Sequence, residues 1–195
     1  MVEHSLNVNA RIATRVREMR TAAGLSLEAL ASTCGVSRSM ISLIERGESS
    51  PTAVVLEKLA TGLGVMLADL FSPPAATPNP VARRAEQPSW TDPGSGYTRR
   101  NVSSSGTSNP IQIVEVHFPP GATVAFETGP REARVYQQIW LLEGAMEVAL
   151  GADRHQLSAG DCLAMQLDRP TVFHNPTREP ARYAVVIASI PLSLR

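Results

Sequence analysis

The chain has 195 residues, of which 43% are hydrophobic and 18% charged, a composition typical of a globular protein with room for two small domains. Its formal net charge is zero, so the overall charge does not by itself predict a nucleic acid, a membrane surface or an acidic substrate as partner. The sequence begins without a signal peptide pattern, contains no apolar run near the ~20 residues that cross a bilayer, and has two widely separated cysteines. We therefore expect a cytoplasmic protein without disulfides or membrane association.

Apolar residues at helical spacing, interrupted by glycines, fill the first 71 residues. They predict helices over residues 10–21, 27–33, 38–46 and 51–63, with a short fifth turn over 67–71. Ser26 and Ser37 are placed to cap the second and third helices, and Gly35 between them can adopt left-handed backbone. Two capped helices joined by a tight glycine turn indicate a helix-turn-helix, whose second helix enters the DNA major groove.

Two runs within this region, Gly24-Leu-Ser-Leu-Glu-Ala-Leu-Ala and Gly35-Val-Ser-Arg-Ser-Met-Ile-Ser, resemble the phage-repressor-like (XRE) class of transcription regulators. The resemblance covers residues 9–71 and implies a lambda-repressor-like five-helix bundle that binds double-stranded DNA. It implies base-edge contacts from Arg38, Ser39, Ser42 and Leu43, and positions near phosphates for Arg46, Ser49 and Ser50.

Two positions depart from the pattern of that class and limit what it implies about the operator. Leu27 stands where the class often has a phosphate-binding glutamine, and Leu43 stands where it often has arginine or glutamine. Leucine cannot hydrogen-bond a base, so Arg38 is the best candidate for base recognition. Residues 1–72 contain seven basic and seven acidic side chains, so DNA binding must depend on a locally basic face.

The sequence changes character at residues 72–88, where five prolines predict an extended linker. Beyond it, short strands are predicted over residues 111–118, 124–126, 136–142, 145–150, 162–165, 172–174 and 182–190. Short strands without intervening helices are typical of an antiparallel sandwich or barrel. The predicted organisation is a DNA-binding domain over residues 1–71, a linker over 72–88 and an all-β domain over 89–195.

The segments 136–148 and 158–186 resemble the two motifs of a cupin, the double-stranded β-helix or jelly-roll barrel. Cupin enzymes bind a metal through two histidines and a glutamate of the first motif and a histidine of the second. The matching positions here fall near Arg131 and Ala133 and at Gln137 and Thr171. These side chains do not form a divalent metal site, so the resemblance implies a barrel without metal, cofactor or catalytic residues.

The mouth of such a barrel is the default site for a small organic effector. The residues expected to line it are Arg131, Gln137, Trp140, Thr171, Phe126 and Met165. An arginine in this set favours a ligand with a carboxylate, which guanidinium binds through two hydrogen bonds. In the alternative interpretation, Trp140 and Phe126 are core residues and Arg131 is solvated.

Three functional hypotheses follow. In the first, a homodimer binds two DNA half-sites about one helical turn apart and responds to a small-molecule effector in the barrel. In the second, the chain is a cupin metalloenzyme, similar to epoxidases or oxygenases, with an accessory helix-turn-helix domain. In the third, it is a DNA-binding dimer that responds to no ligand. The first is preferred because the metal-ligand positions are filled by unsuitable side chains.

Overall fold

The computed structural model describes residues 2–72, 79–104, 110–127 and 133–191, with side chains from residue 8 to residue 190. The helical region comprises α1 (Val2–Ala22), α2 (Leu27–Cys34), α3 (Arg38–Glu45) and α4 (Ala53–Gly62), followed by a 3-10 helix (Leu67–Phe71). The predicted bundle is confirmed except that it has four α-helices rather than five. The fifth element has the tighter 3-10 geometry that short pieces commonly adopt.

The predicted caps of the central helices are confirmed. The side chain of Ser26 accepts a hydrogen bond from the backbone nitrogen of Ala29 at 3.0 Å, and that of Ser37 accepts one from Met40 at 3.2 Å. Gly35 has φ of 66°, the left-handed conformation that the turn requires. The start of α4 was predicted wrongly at Pro51, because Thr52 is the capping residue and accepts from the nitrogen of Val55.

Ten strands follow a 3-10 helix at Arg84–Glu86. They are β1 (Ser89–Thr91), β2 (Thr98–Asn101), β3 (Ile111–Phe118), β4 (Thr123–Phe126), β5 (Ala133–Glu143), β6 (Ala145–Leu150), β7 (Asp153–Ser158), β8 (Cys162–Gln166), β9 (Thr171–His174) and β10 (Ala181–Pro191). All seven predicted strands are present, while β1, β2 and β7 were not predicted. The missed strands are short or rich in polar residues, so their apolar alternation is weak.

The strands form two antiparallel sheets, ordered β1-β2-β3-β10-β5-β8 and β4-β9-β6-β7. Among the eight strands from β3 to β10, β3 pairs with β10 and β4 pairs with β9. This nested pairing is jelly-roll connectivity. The fold expected from the cupin resemblance is therefore confirmed, with β1 and β2 extending the larger sheet. Successive residues of each strand alternate between the interior and the exterior of the barrel. In β5, for example, Ile139 is fully buried and Trp140 is exposed.

The helical region packs directly against the β-domain. The rings of Phe71 and Trp90 lie 5.7 Å apart, and both side chains are buried. The amide of Asn101, on β2, donates to the carbonyl of Ala68 in the 3-10 helix at 3.0 Å. A buried junction therefore joins the two regions, in addition to the Pro-rich segment that connects them along the chain.

Candidate DNA-reading helix and barrel cavity

The exposed face of α3 carries the side chains that were predicted to contact base edges. Arg38 and Ser39 are exposed in its first turn, whereas Ser42 and Leu43 are half-buried. The side chain of Arg38 is 67% exposed, and its nearest acidic partner is Glu28 at 3.9 Å, a loose contact. The guanidinium is thus available to a ligand outside the protein, because an exposed ion pair at this distance is weak.

The residues predicted to lie near phosphates already make contacts within the protein. Arg46 forms a two-pronged ion pair with Glu48, at 2.7 and 2.8 Å, and donates to the hydroxyl of Ser42 at 2.5 Å. Ser50 accepts a hydrogen bond from the amide of Asn9, and Ser49 lies 3.7 Å from the sulfur of Met40. All three guanidinium nitrogens of Arg46 therefore already have partners within the protein.

A salt bridge that the sequence did not predict fixes α3 against α1. The guanidinium of Arg20 donates to both carboxylate oxygens of Glu45, at 2.6 and 2.8 Å, and its third nitrogen donates to the carbonyl of Leu25. Hydrogen bonding to Glu45 raises the pKa of Arg20, so the guanidinium stays charged. With side-chain exposures of 15% and 7%, the two residues hold the end of α3 in a defined orientation.

A cavity of about 100 Å³ lies inside the barrel at the end nearest the helical region. Its walls come from both sheets, and Glu57, Met66 and Leu67 of the helical region complete them. At its edge, the ammonium of Lys58 on α4 forms a 2.8 Å ion pair with Glu127 after β4. A ligand in this cavity would touch both parts of the protein.

Three of the six predicted pocket residues, Phe126, Gln137 and Thr171, line the cavity. Trp140 does not, because it lies three residues from Gln137 on β5 and therefore faces outward, 51% exposed. Met165 is buried and pairs with Gln137 in register, but it is not part of the cavity wall. Arg131 lies outside the described residues.

The cavity wall also contains three buried polar side chains that the sequence did not predict, Tyr97, Arg99 and Tyr183. All three are at most 6% exposed. The signal was available in Tyr97-Thr-Arg-Arg-Asn101, where strand geometry places Tyr97, Arg99 and Asn101 on one face.

The positions that hold metal in cupin enzymes do not fit a metal ion here. Gln137 and Thr171 both line the cavity, but an amide and a hydroxyl are poor substitutes for carboxylate and imidazole. Across the described ranges, no three His, Cys, Asp or Glu side chains are grouped so that they could bind a metal. In the same part of the chain, no helix has the length and apolarity needed to span a membrane.

Comparisons with known proteins place the chain among DNA-binding regulators. A helix-turn-helix family model (HTH_3) matches residues 16–70. HTH-type transcriptional regulator SutR of Escherichia coli (strain K12) is 27% identical over 183 residues, covering 93% of this chain and 96% of that protein. The uncharacterized HTH-type transcriptional regulator y4dJ of Sinorhizobium fredii (strain NBRC 101917 / NGR234) is 30% identical over 73 residues, covering 37% of this chain and 95% of that protein.

A solved structure extends the similarity across both regions. The crystal structure of an HTH_3 family transcriptional regulator from Vibrio cholerae superposes with a TM-score of 0.77 at 26% identity, covering 94% of this chain and 98% of that one. The helical region and the β-domain therefore occur together in another transcriptional regulator.

Proposed function

Because the chain belongs to the phage-repressor-like (XRE) family of helix-turn-helix transcriptional regulators, we propose that it controls transcription in response to a small molecule bound in the barrel, and that it is not an enzyme. The observation that carries the proposal is the shared cavity wall, to which α4 contributes Glu57 and the 3-10 helix Leu67. An effector that fits one arrangement of the two regions better than another shifts the population between them. The effector is expected to have a carboxylate, because arginine binds this group through two hydrogen bonds.

For DNA recognition, we propose that Arg38 and Ser39 read base edges, with Ser42 and Leu43 beside them. The support is the exposure of the first turn of α3 and the Arg20–Glu45 salt bridge that orients the helix. Phosphate contacts are assigned to Arg46, Ser49 and Ser50. Because Arg46 is held by Glu48, its phosphate contact replaces one ion pair with another and adds less affinity than a free arginine.

We also propose a homodimer joined through the outer face of the larger sheet. Five of the seven strongly exposed large hydrophobic side chains in the described ranges lie on this face: Ile111, Ile113, Tyr136, Trp140 and Ile190. They sit on β3, β10 and β5, which are adjacent strands. A second copy presenting the same face can cover this surface and place two α3 helices on neighbouring half-sites.

The proposed domain limits are residues 1–71 and 89–195, joined by residues 72–88. We propose a cytoplasmic location, which agrees with the free thiols of Cys34 and Cys162 in the structure.

The test begins with selection of preferred sites from random-sequence DNA by the purified full-length chain. Amino acids, organic acids and sulfur metabolites are then screened for a change in both melting temperature and affinity for the selected site. A compound that shifts both supports effector control. If a site is selected but no compound alters either quantity, the ligand-independent dimer is the better description.

A further inference from the structure

The barrel cavity contains a buried arginine, Arg99, whose guanidinium forms no ion pair with any described residue. Arg99, on β2, is 6% exposed, and its Nε atom has no hydrogen-bond partner. In the described part of the chain, the side-chain ion pair and hydrogen bond of β2's arginines belong to Arg100, which pairs with Glu115 and donates to Gln87, and none comes from the guanidinium of Arg99. A guanidinium buried in this way is costly to desolvate, so the site favours an incoming anion.

Among the described residues, the guanidinium of Arg99 contacts an aromatic ring. Its central carbon lies 5.2 Å from the ring centre of Phe71, the last residue of the 3-10 helix in the helical region. A ring face attracts the cation but does not neutralise it. Arg99 therefore bridges the cavity and the helical region while its hydrogen-bond donors remain available.

Two buried tyrosines supply further donors beside Arg99. The structure shows no hydrogen bond from the hydroxyl of Tyr97 or Tyr183 to any described residue, although both side chains line the cavity. Burial raises the pKa of Tyr97 to about 12 and raises that of Tyr183 well above its ordinary value. Both hydroxyls are consequently protonated at neutral pH and can donate to an anion.

Burial lowers the pKa of Arg99, and the acidic side chain of Glu57 in the cavity wall opposes this effect in part. The ion pairs between described residues include none between Glu57 and Arg99, so this carboxylate does not occupy the donors of Arg99. Most of the other lining residues are apolar, with Val116, Phe173 and Ile187 among them, and Glu127, Gln137, Arg169 and Thr171 are the polar ones. An engineered apolar cavity of about 150 Å³ accommodates benzene, so about 100 Å³ corresponds to a ligand of only a few heavy atoms.

We propose that this cavity binds a small aliphatic monocarboxylate, with Arg99, Tyr97 and Tyr183 donating to the carboxylate and the apolar wall contacting the chain. The inference rests on the proposed function, since it names the chemical class of the effector for the same cavity. A carboxylate suits the site because guanidinium offers it two parallel hydrogen bonds. It also neutralises the buried charge, whereas an amide or amine of the same size does not.

The experiment is calorimetric titration of the full-length chain, without DNA, with butyrate, butyramide, butylamine and inorganic phosphate. We expect saturable butyrate binding, with the other three probes at least about tenfold weaker because they lack either the charge or the apolar body. Comparable binding of butyramide, butylamine or phosphate overturns the proposal, as does the absence of butyrate binding. These comparisons need no variant protein.

Substitutions then test which side chains bind the carboxylate. Arg99→Met should weaken butyrate binding at least about tenfold, whereas Arg100→Met, the neighbouring arginine paired with Glu115, should leave it unchanged. Tyr97→Phe and Tyr183→Phe keep the ring packing and should each weaken binding several-fold without lowering the melting temperature. They test the site even if Arg99→Met fails to fold. Wild-type affinity in Arg99→Met, or in both tyrosine variants, contradicts the assignment.

These experiments distinguish failure of the proposed anion site from failure of the proposed effector control. Butyrate binding through Arg99 without any change in DNA affinity would retain the anion site and reject effector control. A different class of compound that changes DNA affinity, in a protein that does not bind butyrate, would retain effector control and reject the anion site.

Discussion

The carboxylate of Asp92, in the turn between β1 and β2, accepts a hydrogen bond from the backbone nitrogen of Ala53, the first residue of α4, at 2.8 Å. Its other oxygen accepts from the nitrogen and the hydroxyl of Ser95, at 2.8 and 2.6 Å. A residue of the β-domain thus caps a helix of the DNA-binding region. Because α4 also forms part of the cavity wall, this contact fixes the position of that wall.

Asp92→Ala should lower the free energy of unfolding by about 1–3 kcal/mol, because it leaves a buried helix N–H unpaired and removes a cap. Urea denaturation monitored by circular dichroism measures the change. The matched control is Asp153→Ala, since Asp153 is exposed at the start of β7 and should change stability by less than about 0.5 kcal/mol. Equal effects of the two variants would show that the Asp92 cap does not stabilise the junction.

Gly62, at the end of α4, lies directly against α2. A Cβ atom at this position would lie 2.6 Å from the Cβ of Cys34 and 3.3 Å from a methyl carbon of Leu30. Gly62→Ala should therefore destabilise the protein by about 1–3 kcal/mol through overpacking, less any gain in helix propensity. Thermal unfolding tests this against Ser32→Ala, an exposed site on α2. A Gly62→Ala protein at least as stable as Ser32→Ala would mean that the helices separate without cost.

The proposed dimer depends on the apolar outer face of the larger sheet. Trp140→Glu should shift the protein from dimer to monomer, because it places a charge where a second copy would cover apolar surface. Sedimentation velocity over a range of protein concentrations measures the shift. Val81→Glu is the control, since Val81 is 46% exposed and lies outside that face. A Trp140→Glu protein that dimerises like the wild type would exclude this face as the interface.

Local signals in the sequence were sufficient to predict most of the fold. Side-chain caps at Ser26 and Ser37 and the left-handed turn at Gly35 are set within a few residues, so they could be predicted without knowing the tertiary structure. The start of α4 was harder to predict because Ser50, Pro51 and Thr52 all favour a helix start. Thr52 caps the helix, and Asp92, a residue forty positions from it, supplies a second acceptor.

The cavity was predictable only in part, because its composition depends on which strands meet. Alternation along β5 turns Gln137 inward and Trp140 outward, so the prediction that both line the pocket was wrong for Trp140. Alternation also groups Tyr97 and Arg99 on one face, but that this face reaches the cavity depends on the pairing of β2 with β3, which the local sequence does not show. The Arg20–Glu45 salt bridge likewise joins residues on separate helices and becomes visible only in the folded chain.

The exposed guanidinium of Arg38 provides the most direct test of DNA recognition by α3. Arg38→Ala, measured by fluorescence anisotropy on the selected DNA site, should lose about 1–3 kcal/mol of binding free energy and relax the preference at one base pair. Its melting temperature should not change, because Arg38 makes only a loose contact with Glu28. Arg154→Ala, which removes an exposed arginine of the β-domain, should bind the site as the wild type does. Wild-type affinity and unchanged base preference in Arg38→Ala would contradict the role assigned to this helix.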